Sequence, residues 1–305
     1  MTHRVASIGE CMVELRERPD GTLTRGHGGD TLNTAVYLAR LGVAVDYVTA
    51  LGDDGWSDAM VADWTAEGVG TGLVRRLPGL LPGLYIIQID PAGERRFSYW
   101  RDSAAARRVF DQPDVAELVE RLGGYDILYL SGITLSIYSD AARARLFEAL
   151  ARTQARGGRV VFDTNFRPRG WPDREAARAL YRRAFALADI VLASTEDLDL
   201  LFGADGEAEL LRSREDAELV LKLAYPATRI RHAGGVSVVE AAPVERVVDT
   251  TAAGDSFAAA YLAARLAGSA PVAAAQAGHR LAGVVVGYSG AIIPREAMPP
   301  HPENP

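Results

Sequence analysis

Asp249-Thr-Thr-Ala-Ala-Gly-Asp-Ser-Phe257 follows the apolar pair Val247-Val248 and opens an Ala-rich amphipathic segment over residues 257–266. Small residues and Gly254 at the mouth of a helix leave its first backbone N–H groups unpaired and uncrowded. Together with the positive end of the helix dipole, those donors make a seat for an anion. Asp255 stands inside that seat. A carboxylate in a first helical turn is commonly no more than a cap. Here a second carboxylate, Asp249, and two hydroxyls, Thr250 and Thr251, precede it. A phosphate cradle with a base beside it suits phosphoryl transfer to a hydroxyl, where positioning and charge neutralisation supply most of the catalysis.

Outward from this stretch, short β-rich runs alternate with helical ones, the mark of an α/β fold with a mostly parallel sheet covered on both faces. Residues 5–9 read as the first strand and residues 43–50 as the second. Further strands are expected at 127–130, 160–162, 190–193 and 219–223. Helices are expected from Asp30 to Gly42 and over 56–67, 141–156, 174–187, 257–267 and 272–286. Two regions break the rhythm. Residues 11–15 alternate apolar and charged side chains, and residues 84–90 and 96–100 read as a hairpin across Pro91-Ala-Gly-Glu94. They imply either a small sheet acting as a lid over a cleft or an edge extension of the main sheet.

A chain of 305 residues can bury a large core as one α/β domain, or form two smaller ones. The net charge of −7 argues against a general nucleic-acid or anionic-membrane binder but says little about a small anionic substrate. Cys11 is the only cysteine, so no internal disulfide is possible. It reads as a small buried residue, since no local His or Asp pattern marks it as a nucleophile. The N-terminus lacks an apolar leader and no run reaches the roughly 20 apolar residues of a membrane span, so a cytoplasmic location is expected. There is no Gly-x-x-x-x-Gly-Lys-Ser/Thr loop, and the five histidines lack paired metal-ligand spacing.

The motif around Asp255 is similar to the C-terminal signature of the ribokinase-like (PfkB) carbohydrate kinases. Gly28-Gly-Asp-Thr-Leu-Asn-Thr-Ala35, followed by Ala39-Arg-Leu-Gly42, is similar to their N-terminal signature. The chain most resembles the branch of that family acting on 2-keto-3-deoxygluconate. The matching pieces are Gly9-Glu-Cys-Met-Val-Glu-Leu15, Gly28-Gly-Asp-Thr-Leu-Asn33, Leu81-Pro-Gly-Leu-Tyr85, Tyr99-Trp-Arg101, Tyr129-Leu-Ser-Gly-Ile133, Asp163-Thr-Asn-Phe-Arg167 and Gly290-Ala-Ile-Ile-Pro-Arg295. They run in order through nearly the whole chain. The resemblance implies a single domain over residues 1–305, a three-layer αβα sandwich whose β lid comes from about 11–29 and 84–101. It implies ATP as donor, Mg²⁺ as cofactor, and phosphorylation of the C6 hydroxyl of the keto acid.

Carried onto this sequence, the family motif makes Asp255 the general base, with Ala252, Ala253 and Gly254 offering backbone N–H groups to the phosphoryl group. Many relatives have glycine at position 252; alanine there is expected to suit a helical φ/ψ. Gly29, Asp30, Asn33, Tyr85, Tyr99, Arg101 and Arg167 are expected on the acceptor side. The two arginines suit a carboxylate or ketone oxygen. Asp30 can instead be the helix N-cap, and the tyrosines can simply pack. On the nucleotide side the expected residues are Asn165, Ser194, Lys222, Thr250, Gly254 and His279, with Asp197 and Asp249 as indirect metal contacts. Two departures stand out. Ser194-Thr-Glu-Asp197 replaces the family's Asn-x-x-Glu, and Leu223-Ala-Tyr-Pro-Ala-Thr-Arg229 lacks the glycine turn that borders ATP in relatives. Alternatives therefore stay open: a kinase for fructose, ribose or a nucleoside, or a silent sugar-binding protein. The expected partners are a sugar acid and a nucleotide, with pairing into a homo-oligomer possible through exposed lid strands.

Overall fold

The structure, a computed structural model, describes residues 3–18, 20–89 and 95–299. Along the chain come β1 (Arg4–Ile8), β2 (Met12–Glu17), β3 (Leu23–Gly28), α1 (Asp30–Arg40), β4 (Ala44–Leu51), α2 (Gly55–Ala66) and β5 (Val74–Arg76). The middle holds β6 (Leu84–Ile89), β7 (Arg95–Trp100), α3 (Val115–Leu122), β8 (Ile127–Ser131), α4 (Gly132–Ile137), α5 (Asp140–Ala155) and β9 (Arg159–Asp163). Next are α6 (Arg174–Leu187), β10 (Ile190–Ser194), α7 (Thr195–Phe202), α8 (Gly206–Leu211) and β11 (Glu218–Lys222). The chain closes with β12 (Ala227–His232), β13 (Gly235–Glu240), α9 (Ala253–Leu266) and α10 (Pro271–Val285).

The main sheet runs β13-β12-β11-β10-β9-β8-β1-β4-β5, and every pairing from β11 to β5 is parallel. Its central strands are apolar on both faces, as a sheet covered on both sides requires; β8 is buried at every residue. Two apolar layers result. One packs Leu118, Leu146, Phe162, Tyr181 and Phe185 beneath α3, α5 and α6, and the other packs Leu38, Trp64, Tyr129, Phe257 and Leu281 beneath α1, α2, α9 and α10. The antiparallel hairpin β12–β13, which the sequence reading leaves unassigned, extends one edge.

β3, β2, β6 and β7 form a separate four-stranded sheet that shares no strand with the main one. The edge-extension alternative therefore falls. The expected turn at Pro91-Ala-Gly-Glu94 and the Pro-rich tail after Met298 lie outside the described residues, apart from Pro299.

Local chemistry sets the helix starts. Asp54, Ser139 and Asp173 cap α2, α5 and α6 by accepting from backbone N–H groups two or three residues on. α1 differs: its N-cap is Gly29, with no side-chain cap, and Asp30 is the first helical residue. Asp30 is thus not the cap, and its carboxylate is free for other partners. Gly29 is required sterically, because a Cβ there would lie 2.1 Å from the Glu10 carbonyl oxygen. We expect Gly29→Ala to push α1 off that contact, lowering the melting temperature by several degrees. The acceptor KM should rise about tenfold, since a small displacement of a positioning group is felt strongly. Unchanged melting and kinetics would show that the backbone absorbs the methyl.

Candidate active site

Parallel α/β sheets bind ligands beyond the carboxyl ends of their strands, where the strand order reverses. Here the reversal lies between β1 and β8. Glu10, Thr164, Asn165, Ser194 and Lys222 stand at or just past the ends of β1, β9, β10 and β11, and the N-termini of α1 and α9 come in beside them.

Asp255 occupies the first turn of α9, partly buried, and its Oδ2 accepts from Asn33 Nδ2 at 2.8 Å. Burial pushes its carboxyl up from 3.8 to about 8, and the Asp30 charge adds to this. The Asn33 hydrogen bond and the Lys222 charge pull the other way. An acid of this kind can hold and release a proton near neutrality. The Asn33 Oδ1 is buried with no hydrogen-bond partner among the described residues. A ligand hydroxyl would satisfy it.

The mouth of α9 is open. A Cβ built on Gly254 would come within 4 Å of one atom, Lys222 Nζ, at 3.3 Å. Close packing therefore does not explain this glycine; the space above it is bounded by an ammonium. Lys222 also reaches Asp163 Oδ1 at 3.9 Å. Burial raises the Asp163 pKa and Lys222 opposes the rise. Ala252 corrects an expectation: as the N-cap of α9 it takes φ 59° and ψ 14°, left-handed rather than helical. For an alanine that conformation costs about 1–2 kcal/mol, which is why glycine is natural there. The reversal lets Ser256 N bond the Ala252 carbonyl at 2.9 Å; Ala253 N, expected to face the phosphoryl group, instead bonds the Thr250 carbonyl at 3.2 Å, and Gly254 N stays clear of helix partners.

The other expected residues fall into distinct places. Asp30 Oδ2 accepts from Asn165 Nδ2 at 2.7 Å, so Asn165, expected on the nucleotide side, is joined to a residue expected on the acceptor side. Asn165 itself has φ 28°, in the region an asparagine tolerates better than most residues. Arg101 donates to the fully buried carboxylate of Glu10. Arg167, 62% exposed, donates to Asp197 Oδ1 at 3.3 Å, and Asp197 Oδ2 accepts from Thr164 at 2.7 Å. The Tyr85 hydroxyl is spent on Glu14, and its ring lies 5.9 Å from that of Tyr99, which is 44% exposed. Ser194 caps α7. Thr250 is exposed before α9. His279 Nε2 pairs with Thr228 Oγ1 at 3.0 Å, and its ring meets Phe257 edge-on. Asp249 accepts from Thr251 N and Gly290 N at 2.8 and 3.0 Å, tying the segment before α9 to a later turn.

Sequence reasoning passed over Glu10 and Asp163 as individual residues. The available signal was a carboxylate at the end of an apolar strand, which in a parallel sheet points to the cleft. It also missed that folding lines up Cys11, His27 and Asp63: Cys11 Sγ is 3.9 Å from His27 Nδ1, and His27 Nε2 is 3.3 Å from Asp63. Burial raises the Cys11 thiol pKa well above its usual value, so this alignment makes no nucleophile.

A carboxylate with a raised pKa, an uncrowded helix mouth and an ammonium thus meet at this end of the sheet. Residues 2–298 match the pfkB family carbohydrate kinase domain, and the chain belongs to that family. It is similar to a 2-dehydro-3-deoxygluconokinase of Dickeya dadantii, 46% identical over 308 residues, covering 98% of this chain and 99% of that one. The protein of the same name from Escherichia coli K12 is 44% identical over 309 residues, covering 98% and 100%. A crystal structure of fructokinase with bound ATP from Xylella fastidiosa is similar with a TM-score of 0.81 at 28% identity, covering 98% and 96%.

Proposed function

We propose that this carbohydrate kinase transfers the γ-phosphoryl group of ATP to the C6 hydroxyl of 2-keto-3-deoxygluconate. Asp255 takes the hydroxyl proton as the new O–P bond forms. The bond between the γ-phosphorus and its bridging oxygen breaks, and ADP leaves with that oxygen. The open N–H groups of Ala252 and Gly254 and the Lys222 ammonium receive the charge on the moving group, while the Ala253 N–H is held by the Thr250 carbonyl at 3.2 Å. The carrying observation is the placement of a raised-pKa carboxylate, held by Asn33, directly in that open mouth. Near-full-length similarity to proteins named for this keto acid supports the choice of acceptor, since the fructokinase is more distant.

Mg²⁺ would neutralise the polyphosphate. Among the described residues no group of three His, Cys, Asp or Glu could cage a metal. That suits an ion brought in by ATP and keeping most of its waters. Asp249 and Asp197 already accept hydrogen bonds from the protein, so they would reach it through water.

A neutral sugar is the second reading, favoured by one observation: both candidate arginines are already paired with carboxylates of this chain. Initial rates with ATP–Mg²⁺ and a panel of keto acid, fructose, ribose and a nucleoside separate the two. We expect the keto acid to give the highest kcat/KM. A neutral sugar turned over far faster would reverse the assignment, and acceptor binding without turnover of any compound would leave a silent binder.

A further inference from the structure

Glu10 lies two residues past the end of β1, its side chain fully buried, and no step described so far uses it. Its Oε2 accepts from Nη2 of Arg101, the residue that follows β7, so the contact joins the main sheet to the smaller one. Glu10 Oε1 and Arg101 Nε are both buried without a hydrogen-bond partner among the described residues. Gly83 makes room for the pair, since a Cβ there would stand 2.8 Å from Oε1 and 3.2 Å from the Arg101 Cβ. On the other side the Glu10 backbone floors Gly29, beside Asp30. A desolvated carboxylate with an idle oxygen is a poor way to stabilise a fold, because burial of the charge offsets much of the attraction. What the contact does provide is orientation. A free arginine side chain would sample many rotamers, whereas this guanidinium is fixed at one nitrogen, with Nη1 bonded to no described residue.

We propose that Glu10 is the positioning residue for Arg101, holding the guanidinium at the foot of the smaller sheet so that Nη1 meets the carboxylate of the sugar-acid acceptor. This rests on the acceptor reading given above. The Glu10 charge also offsets that of Arg101, so the acid is recognised by directed donors rather than by a bare positive field.

The test compares the unaltered enzyme, Glu10→Ala and Glu10→Gln with 2-keto-3-deoxygluconate and with its uncharged C1 amide. Glu10→Ala should raise KM for the acid about tenfold while kcat stays within roughly threefold. KM for ATP and for the amide should stay within about twofold. Glu10→Gln keeps an acceptor for Nη2 and should recover most of the loss. If Glu10→Ala fails to fold, Glu10→Asp takes its place, its shorter reach giving the same acid-selective rise. An equal rise for acid and amide, or none for either, overturns the proposal alone. No turnover of the acid by the unaltered enzyme overturns the acceptor reading and this inference with it.

Discussion

Asp255→Asn should lower kcat by about 10²–10⁴-fold, the usual contribution of a positioned general base, while acceptor affinity stays close to normal. Asparagine keeps the shape and can still meet Asn33 but cannot take the hydroxyl proton. The same change should make the protein more stable. In the folded protein the Asp255 pKa is raised from 3.8 to about 8, so across that interval the native state holds a proton that the unfolded chain has released. Native stability therefore falls as pH rises from about 4 to about 8, and the amide removes that slope. The melting-temperature advantage of Asp255→Asn should grow over that range. In the unaltered enzyme kcat/KM should climb with pH toward about 8, as the free base ionises. Stopped assays, isothermal titration with the acceptor and thermal melts across pH check all three. Near-normal turnover in the variant would remove Asp255 from the role.

Lys222→Met should lower kcat by about 10²–10³-fold, the range seen when one preorganised donor to a developing charge is removed. Its ammonium lies over Gly254 at the mouth of α9 and beside Asp163. With Lys222 gone, the site loses a positive charge where a polyphosphate must sit, and the Asp163 pKa, which Lys222 holds down, rises further. KM for ATP should rise along with the fall in kcat. Lys222→Arg should restore part of the rate, since the charge returns with altered reach. Lys222 is the only lysine in the chain, so an amine-directed reagent reads this position almost alone. ATP–Mg²⁺ should protect it from acylation, as peptide mass mapping would show. Full labelling in saturating ATP, with an unchanged rate for Lys222→Met, would place the phosphates elsewhere.

Much of the scaffold was legible because its signals are local. Apolar runs with period shifts located β1, β4 and β8 to β11 to within a residue or two, and the helices expected over 56–67 and 174–187 match α2 and α6 as closely. The hairpin β12–β13 was not, since Val236 and Val238 on its outer edge face solvent and give no buried pattern. Among site residues, the small-residue run before Asp255 was readable as an open helix mouth. The left-handed turn at Ala252 was not, because an alanine gives no hint of positive φ. Nor could spacing show that Asn165 turns to Asp30, or that Arg101 and Arg167 each meet a carboxylate of the chain.

By itself the sequence determined the α/β alternation, the helix starting near Asp255 and the small residues that leave its mouth bare, because periodicity, capping and side-chain size act over a few neighbours. Only the tertiary structure decided which charges face one another. Glu10 and Arg101 are 91 residues apart, and Asn33 and Asp255 are 222 apart. Whether a carboxylate ends up ionised, paired or holding a proton depends on burial and on partners brought in from distant strands, and neither is written in the local chain.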